Sequence, residues 1–232
     1  AFSYTLKEGT LAENYTISKT EGDLTITTNT AELSVASADG EWTYDGETHT
    51  NKTYTVTFGD ETIEGTEDQT EFKLSTGDTL TVVPTEKGVN GVKNVSDSGA
   101  NSFTWTVENE DNYTKGDDTV GTLTIKPKTV TLTSGSKSRE YNGSALTNEE
   151  VEGKNENGLT VETGWVGSEG ATYAFTGTIT TAGTVKNAFS YTLKEGTLEE
   201  NYTIAKTEGD LTITANTAEL SVASADGEWT YD

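Results

Sequence analysis

The chain has 232 residues, no cysteine, no methionine, one histidine and a formal net charge of −24. The missing cysteine excludes disulfides, thiol chemistry and cysteine-ligated zinc, and a surface this acidic argues against nucleic acid, whose phosphates need basic partners. No apolar stretch approaches the ~20 residues of a membrane-spanning helix, and no signal peptide is visible.

Hydrophobic residues make up only 31% of the chain, but they are largely aromatic and β-branched and stand in short alternating runs, so thin-cored β-structure is expected rather than disorder. In chain order, Phe2, Tyr4 and Leu6 share one face, as do Leu24 and Ile26, then Leu33 and Val35. Trp42 and Tyr44 follow two apart, then Tyr54, Val56 and Phe58, then Phe103, Trp105 and Val107. Leu123/Ile125, Val130/Leu132, Leu159/Val161 and Leu211/Ile213 continue the period of two. Turn clusters such as Ala38-Asp39-Gly40, Tyr44-Asp45-Gly46 and Tyr141-Asn142-Gly143 separate the runs. No segment carries a sustained 3.6-residue stripe. The expected fold is all-β, as antiparallel β-sandwiches strung end to end.

The dominant feature is a repeat. Residues 1–45 and 188–232 differ at only three positions, Ala12/Glu199, Ser18/Ala205 and Thr28/Ala215, and Ala188 lies 187 residues after Ala1. A fainter echo divides the period. Phe103–Val107 matches Phe2–Leu6, Asn112-Tyr113-Thr114 matches Asn14-Tyr15-Thr16, Gly121–Ile125 matches Gly22–Ile26, and Glu140–Gly143 matches Thr43–Gly46. Four domain segments result: 1–29, the closing part of one domain; 30–127, domain A; 128–216, domain B; and 217–232, the opening part of the next domain A. With cuts inside domains and no methionine, the sequence is expected to be an internal or processed window of a longer repeat protein. The part-domains at 1–29 and 217–232 expose an apolar face and open strand edges, and need completion by adjacent repeats or by copies of the chain.

The order of LTI, a short linker, a strand, Tyr-Asp/Asn-Gly, and then Asn-Tyr-Thr before another LTI resembles the mostly bacterial immunoglobulin-like repeats of large Gram-positive surface adhesins. The resemblance covers most of 128–216 and, less closely, 30–127, where an insert at 86–99 departs from it. It implies Ig-like sandwiches in an extracellular protein of the cell surface or cell wall.

Chemistry-bearing residues are few. His49 lies in a polar run and reads as an exposed loop residue rather than one of a triad, and no phosphate-binding loop is present. Calcium is the one cofactor considered, with candidate ligands Asp39 and Asp45, and Glu108, Glu110 and Asp111 with Asp117 and Asp118; none has EF-hand spacing. Lys7 and Lys194 are candidates for an isopeptide crosslink, which requires burial. Trp165, flanked by glycines, is the candidate for ligand stacking, while Trp42, Trp105 and Trp229 read as packing residues. The sequons at Asn14, Asn51, Asn94, Asn112, Asn142 and Asn201 read as turn chemistry. The expectation is a non-enzymatic stalk or filament segment, extending roughly 70–80 Å per period from strands at ~3.3 Å per residue. An adhesin module for host glycan or protein is the alternative, and a polysaccharide-acting enzyme the third reading.

Overall fold

Alternating β-branched and aromatic residues produce short strands throughout the computed structural model, which describes residues 1–231. In the first half-repeat these are β1 (Glu32–Ser37), β2 (Gly40–Thr43), β3 (Tyr54–Phe58), β4 (Glu61–Glu64) and β5 (Glu71–Lys73). Then come β6 (Thr79–Pro84), β7 (Gly99–Ala100), β8 (Phe103–Val107), β9 (Thr114–Lys115) and β10 (Thr122–Lys126). The second half-repeat adds β11 (Lys128–Thr133), β12 (Lys137–Glu140), β13 (Leu146–Thr147), β14 (Val161–Thr163) and β15 (Ala171–Phe175). It closes with β16 (Thr178–Ile179), β17 (Gly183–Lys186), β18 (Phe189–Leu193), β19 (Tyr202–Thr207) and β20 (Asp210–Thr214). The 86–99 insert folds as one helical turn, Lys87–Asn90, and a 3-10 turn, Val95–Asp97.

Two compact units form. The first comprises Ala1–Ser37, Thr53–Val83 and Thr104–Thr119; the second comprises Ala38–Lys52, Pro84–Phe103 and the chain from Val120 on. Unit 1 contains the sheet β4-β3-β1-β9 and most of β5-β6-β8. In it β1 runs antiparallel to β3 with Leu33 opposite Phe58 and Val35 opposite Val56. Leu33, Val35, Tyr54, Val56, Phe72 and Leu80 are buried there. Unit 2 holds the sheets β2-β10-β7, β14-β11-β19 and β12-β20-β17 with the pairs β13-β16 and β15-β18. Compactness thus divides the chain differently from the repeat, because unit 2 takes in part of 30–127 together with 128–216.

All-β is therefore the fold class, but the sheets are mixed rather than purely antiparallel as expected. The ladders β1–β9, β2–β10, β11–β19 and β12–β20 are parallel. An alternation of two is the same for either strand direction, so the pattern cannot distinguish them. The long segment between β11 and β19 supplies the crossover that a parallel pair requires.

The end segments form no strands. Residues 1–29 contain only the 3-10 turn Ala12–Asn14, and no element lies in 217–231; Asp232, the last residue of the expected opening segment, lies outside the described residues. Leu24 and Ile26 are 102% and 90% exposed, whereas Leu211 and Ile213, the same positions one period on, are 0% and 1% exposed. Identical local sequence meets a partner strand in one place and none in the other.

Candidate functional site

The sequence-chosen residues are scattered. Trp165 is half-buried, donates its indole N–H to the Tyr173 hydroxyl at 3.3 Å and packs edge-on against Tyr202 with ring centroids 4.8 Å apart. Trp105 donates to Asp118 at 2.8 Å and carries the Lys115 ammonium over its ring. Trp42 stacks on His49 at 4.9 Å, and His49 Nε2 lies 3.0 Å from Asp45; Trp229 is 88% exposed. His49 is thus half-buried against an indole rather than an open loop residue.

The acids act one at a time. Asp39 accepts the Thr122 N–H at 2.7 Å, Glu108 that of Thr79 at 2.7 Å and Asp118 that of Val35 at 2.8 Å. Glu110 pairs with Lys115, and Asp45 accepts the Glu47 N–H. Among the described residues no three His, Cys, Asp or Glu side chains converge on a cation position. Asp111 and Asp117 are exposed. Lys7 and Lys194 are exposed, so neither has the burial an isopeptide bond requires. Two of the sequon asparagines do local work, Asn142 accepting the Ser144 N–H at 3.0 Å and Asn94 forming a capping box with Asp97, whereas Asn201, expected as turn chemistry, is fully buried and bonds far along the chain.

What the structure does bring together is a junction within unit 2, around Glu169. Tyr44, just past β2, donates to Glu169 Oε1 at 2.5 Å, and Tyr202, opening β19, donates to Oε2 at 2.7 Å. The two rings meet edge-to-face at 5.4 Å. Tyr202 Oη also accepts the Val166 N–H at 3.1 Å. Beside them Asn201, fully buried, accepts from the Val95 N–H at 2.9 Å and donates to Asn94 Oδ1 at 2.9 Å. Gly46 carries φ +84°, and a Cβ there would meet Val166 Cγ1 at 2.9 Å, so the turn after Tyr44 needs glycine both for conformation and for close approach. The underlying core is continuous: Tyr44, Val92, Leu123 and Ile125 pack with Val130, Leu132, Leu159, Phe189 and Tyr202.

Burial, reinforced by the hydrogen bond to Glu169, pushes the Tyr44 hydroxyl up to about 12, and the same causes raise Tyr202. Burial and Glu162 raise Tyr173. Burial works against the Glu162 carboxylate, but hydrogen bonds from Tyr173, Asn157 and Asn155 outweigh it and lower its pKa. Phenols held neutral to such alkaline pH are poor bases and nucleophiles at neutrality. The arrangement ties the turn after β2, the Val166–Glu169 loop and the start of β19 together.

Sequence reasoning missed Glu169 and the paired asparagines Asn101 and Asn187, each 0% exposed. Asn101 Nδ2 donates to the carbonyls of Ala38 and Asn51, and Asn187 Nδ2 to that of Gly135 and to Asn148 Oδ1. The available signal was an asparagine two residues before the aromatic strand in both halves. Comparison with models of known protein families, with curated proteins and with solved structures returns no match to this chain.

Proposed function

We propose that the chain is a length of a structural tandem-repeat protein, a stalk or fibre at a bacterial cell surface or in its wall, built of immunoglobulin-like repeats of the adhesin type. The observation that carries this reading is the core shared across Lys126–Lys128, where residues of 30–127 and 128–216 pack in one cluster sealed by Tyr44, Glu169 and Tyr202. Flexibly tethered binding modules need no such continuity; a spacer that holds distance does. The 187-residue repeat supplies the means of extension. Acidic residues in excess keep such a protein soluble and unaggregated.

Small-angle scattering from chains carrying one, two and three 187-residue periods tests this. A stalk gains a constant increment per period, roughly 70–80 Å from strand lengths at ~3.3 Å per residue. Growth of the maximum dimension as the cube root of length, the behaviour of a globule, overturns it. The second reading, an adhesin module, is favoured by one groove of about 260 Å³ in which Tyr173 and Phe175 face Asn148, Asn155 and Asn157. Aromatic faces beside amides suit a sugar. Glycan-array binding that Phe175→Ala or Trp165→Ala abolishes would establish that reading.

A further inference from the structure

The residues of the junction around Glu169 have counterparts, Tyr141 for one side and Asp78 with Tyr113 for the other. Tyr141 corresponds to Tyr44. The Tyr44 N–H donates to the Lys126 carbonyl at 2.8 Å and the Tyr141 N–H to that of Thr214 at 2.9 Å. Each tyrosine is followed by the same turn, with Asp45 accepting the Glu47 N–H and Asn142 that of Ser144, and with Gly46 and Gly143 at φ +84° and +82°. On the receiving side, Tyr113 donates to Asp78 at 2.6 Å as Tyr202 does to Glu169 at 2.7 Å. The two constellations differ in cover. Tyr44 is 3% exposed and Tyr141 43%; Asn201 is fully buried, and its counterpart Asn112 is exposed.

We propose that Tyr141 of one copy docks onto the Asp78–Tyr113 pair of a second copy of this chain, repeating the geometry by which Tyr44 meets Glu169 and Tyr202. The inference rests on the repeat reading above and names the contact that joins successive periods. Asp78 already has its carboxyl held low, first by the Tyr113 hydroxyl and then by Asn109, so it stands ionised to receive a second phenol. Its Oδ1 accepts from Asn109 Nδ2 at 2.9 Å, and a carboxylate oxygen has a second lone pair for the incoming hydroxyl. The connection at this joint is longer than Lys126-Pro127-Lys128. It forms the same Asx turn in both copies, with the Ala31 N–H on Asn29 Oδ1 at 2.9 Å and the Ala218 N–H on Asn216 Oδ1 at 2.8 Å. That turn takes up the extra residues.

The absence of cysteine makes disulfide trapping a clean test. In the formed junction Gly46, Glu47 and Val166 line one cleft; their counterparts are Gly143, Ser144 and Ser75. Full-length chain with Ser75→Cys is mixed with full-length chain carrying Ser144→Cys, at about 100 µM under mild oxidation. The expected result is a heterodimer at least about fivefold above either homodimer, cut about tenfold by adding Tyr141→Ala, a position 43% exposed, with an unchanged circular dichroism spectrum showing that this variant is folded. Heterodimer at only the twofold excess of random pairing, or a yield indifferent to Tyr141→Ala, overturns the proposal. Linear growth of the tandem chains without the specific disulfide refutes this joint alone, whereas globular growth refutes the stalk as well.

Discussion

Asn187 occupies a position where a side chain substitutes for a strand. Its Nδ2 joins the carbonyl of Gly135, beyond β11, to Asn148 Oδ1, beyond β13, while its backbone N–H reaches the Gly209 carbonyl. Three separated segments are held by one buried residue, and no hydrophobic contact could replace a donor that faces two acceptors. Asn187→Ala leaves those acceptors buried without a partner, at about 1–3 kcal/mol for such groups. We expect urea unfolding to show a loss of about 2 kcal/mol for Asn187→Ala. Asn187→Asp should lose more, because a carboxylate cannot donate and carries a buried charge. A change below about 0.5 kcal/mol, typical of surface positions, would mean the amide is dispensable. This residue was hard to see in the sequence because asparagine before a strand reads as turn chemistry, and its burial depends on loops that lie far away in the chain. Glu169 was hidden for a related reason: among so many acids, only the two phenols aimed at it set it apart.

At the scale of the element, the chain contains its own control. Residues 22–27 and 209–214 carry the same Leu-Thr-Ile alternation, and the period of two is equally legible in both. Only the second becomes a strand, because β20 has β12 on one side and β17 on the other. Strand propensity is local, but strand existence depends on a neighbour. Leu211→Asp places an unpaired carboxylate in a fully buried site and should cost about 3–5 kcal/mol, enough to unfold the surrounding sheet. Leu24→Asp, one period earlier, should shift stability by no more than about 0.5 kcal/mol in this chain. Thermal unfolding of the two variants side by side is the measurement, and equal effects would mean that Leu24 is covered after all. In a chain of several periods the asymmetry should vanish for internal copies, whose Leu24-type residues gain partner strands. Alternation thus gave the all-β class and most strand positions. Strand direction escaped it, since parallel and antiparallel ladders impose the same period.

For the molecule as a whole, a net charge of −24 over 232 residues acts on stability in a way that no single contact expresses. Like charges repel across the compact state, and the repulsion is screened beyond a Debye length of about 10 Å at 0.1 M salt. Raising sodium chloride from low to physiological strength should therefore raise the unfolding midpoint by several degrees, about 1 kcal/mol at the ~2–4 °C per kcal/mol typical of this chain length. Calcium separates general screening from a specific site. Asp39, Glu108 and Asp118 each already accept a backbone N–H, and Asp45 both a backbone N–H and the His49 ring. Turning them toward a cation would strip those donors of their partners, a loss that must be set against the coordination gained. At matched ionic strength, calcium chloride and sodium chloride should then give midpoints within about 1 °C of each other. A saturable extra shift of about 5 °C with calcium alone would instead reveal binding to the folded state, by the mass-action relation that ties ligand concentration to stability. That outcome would place a cation among the acids and make calcium a brace of the fold rather than part of its ionic atmosphere.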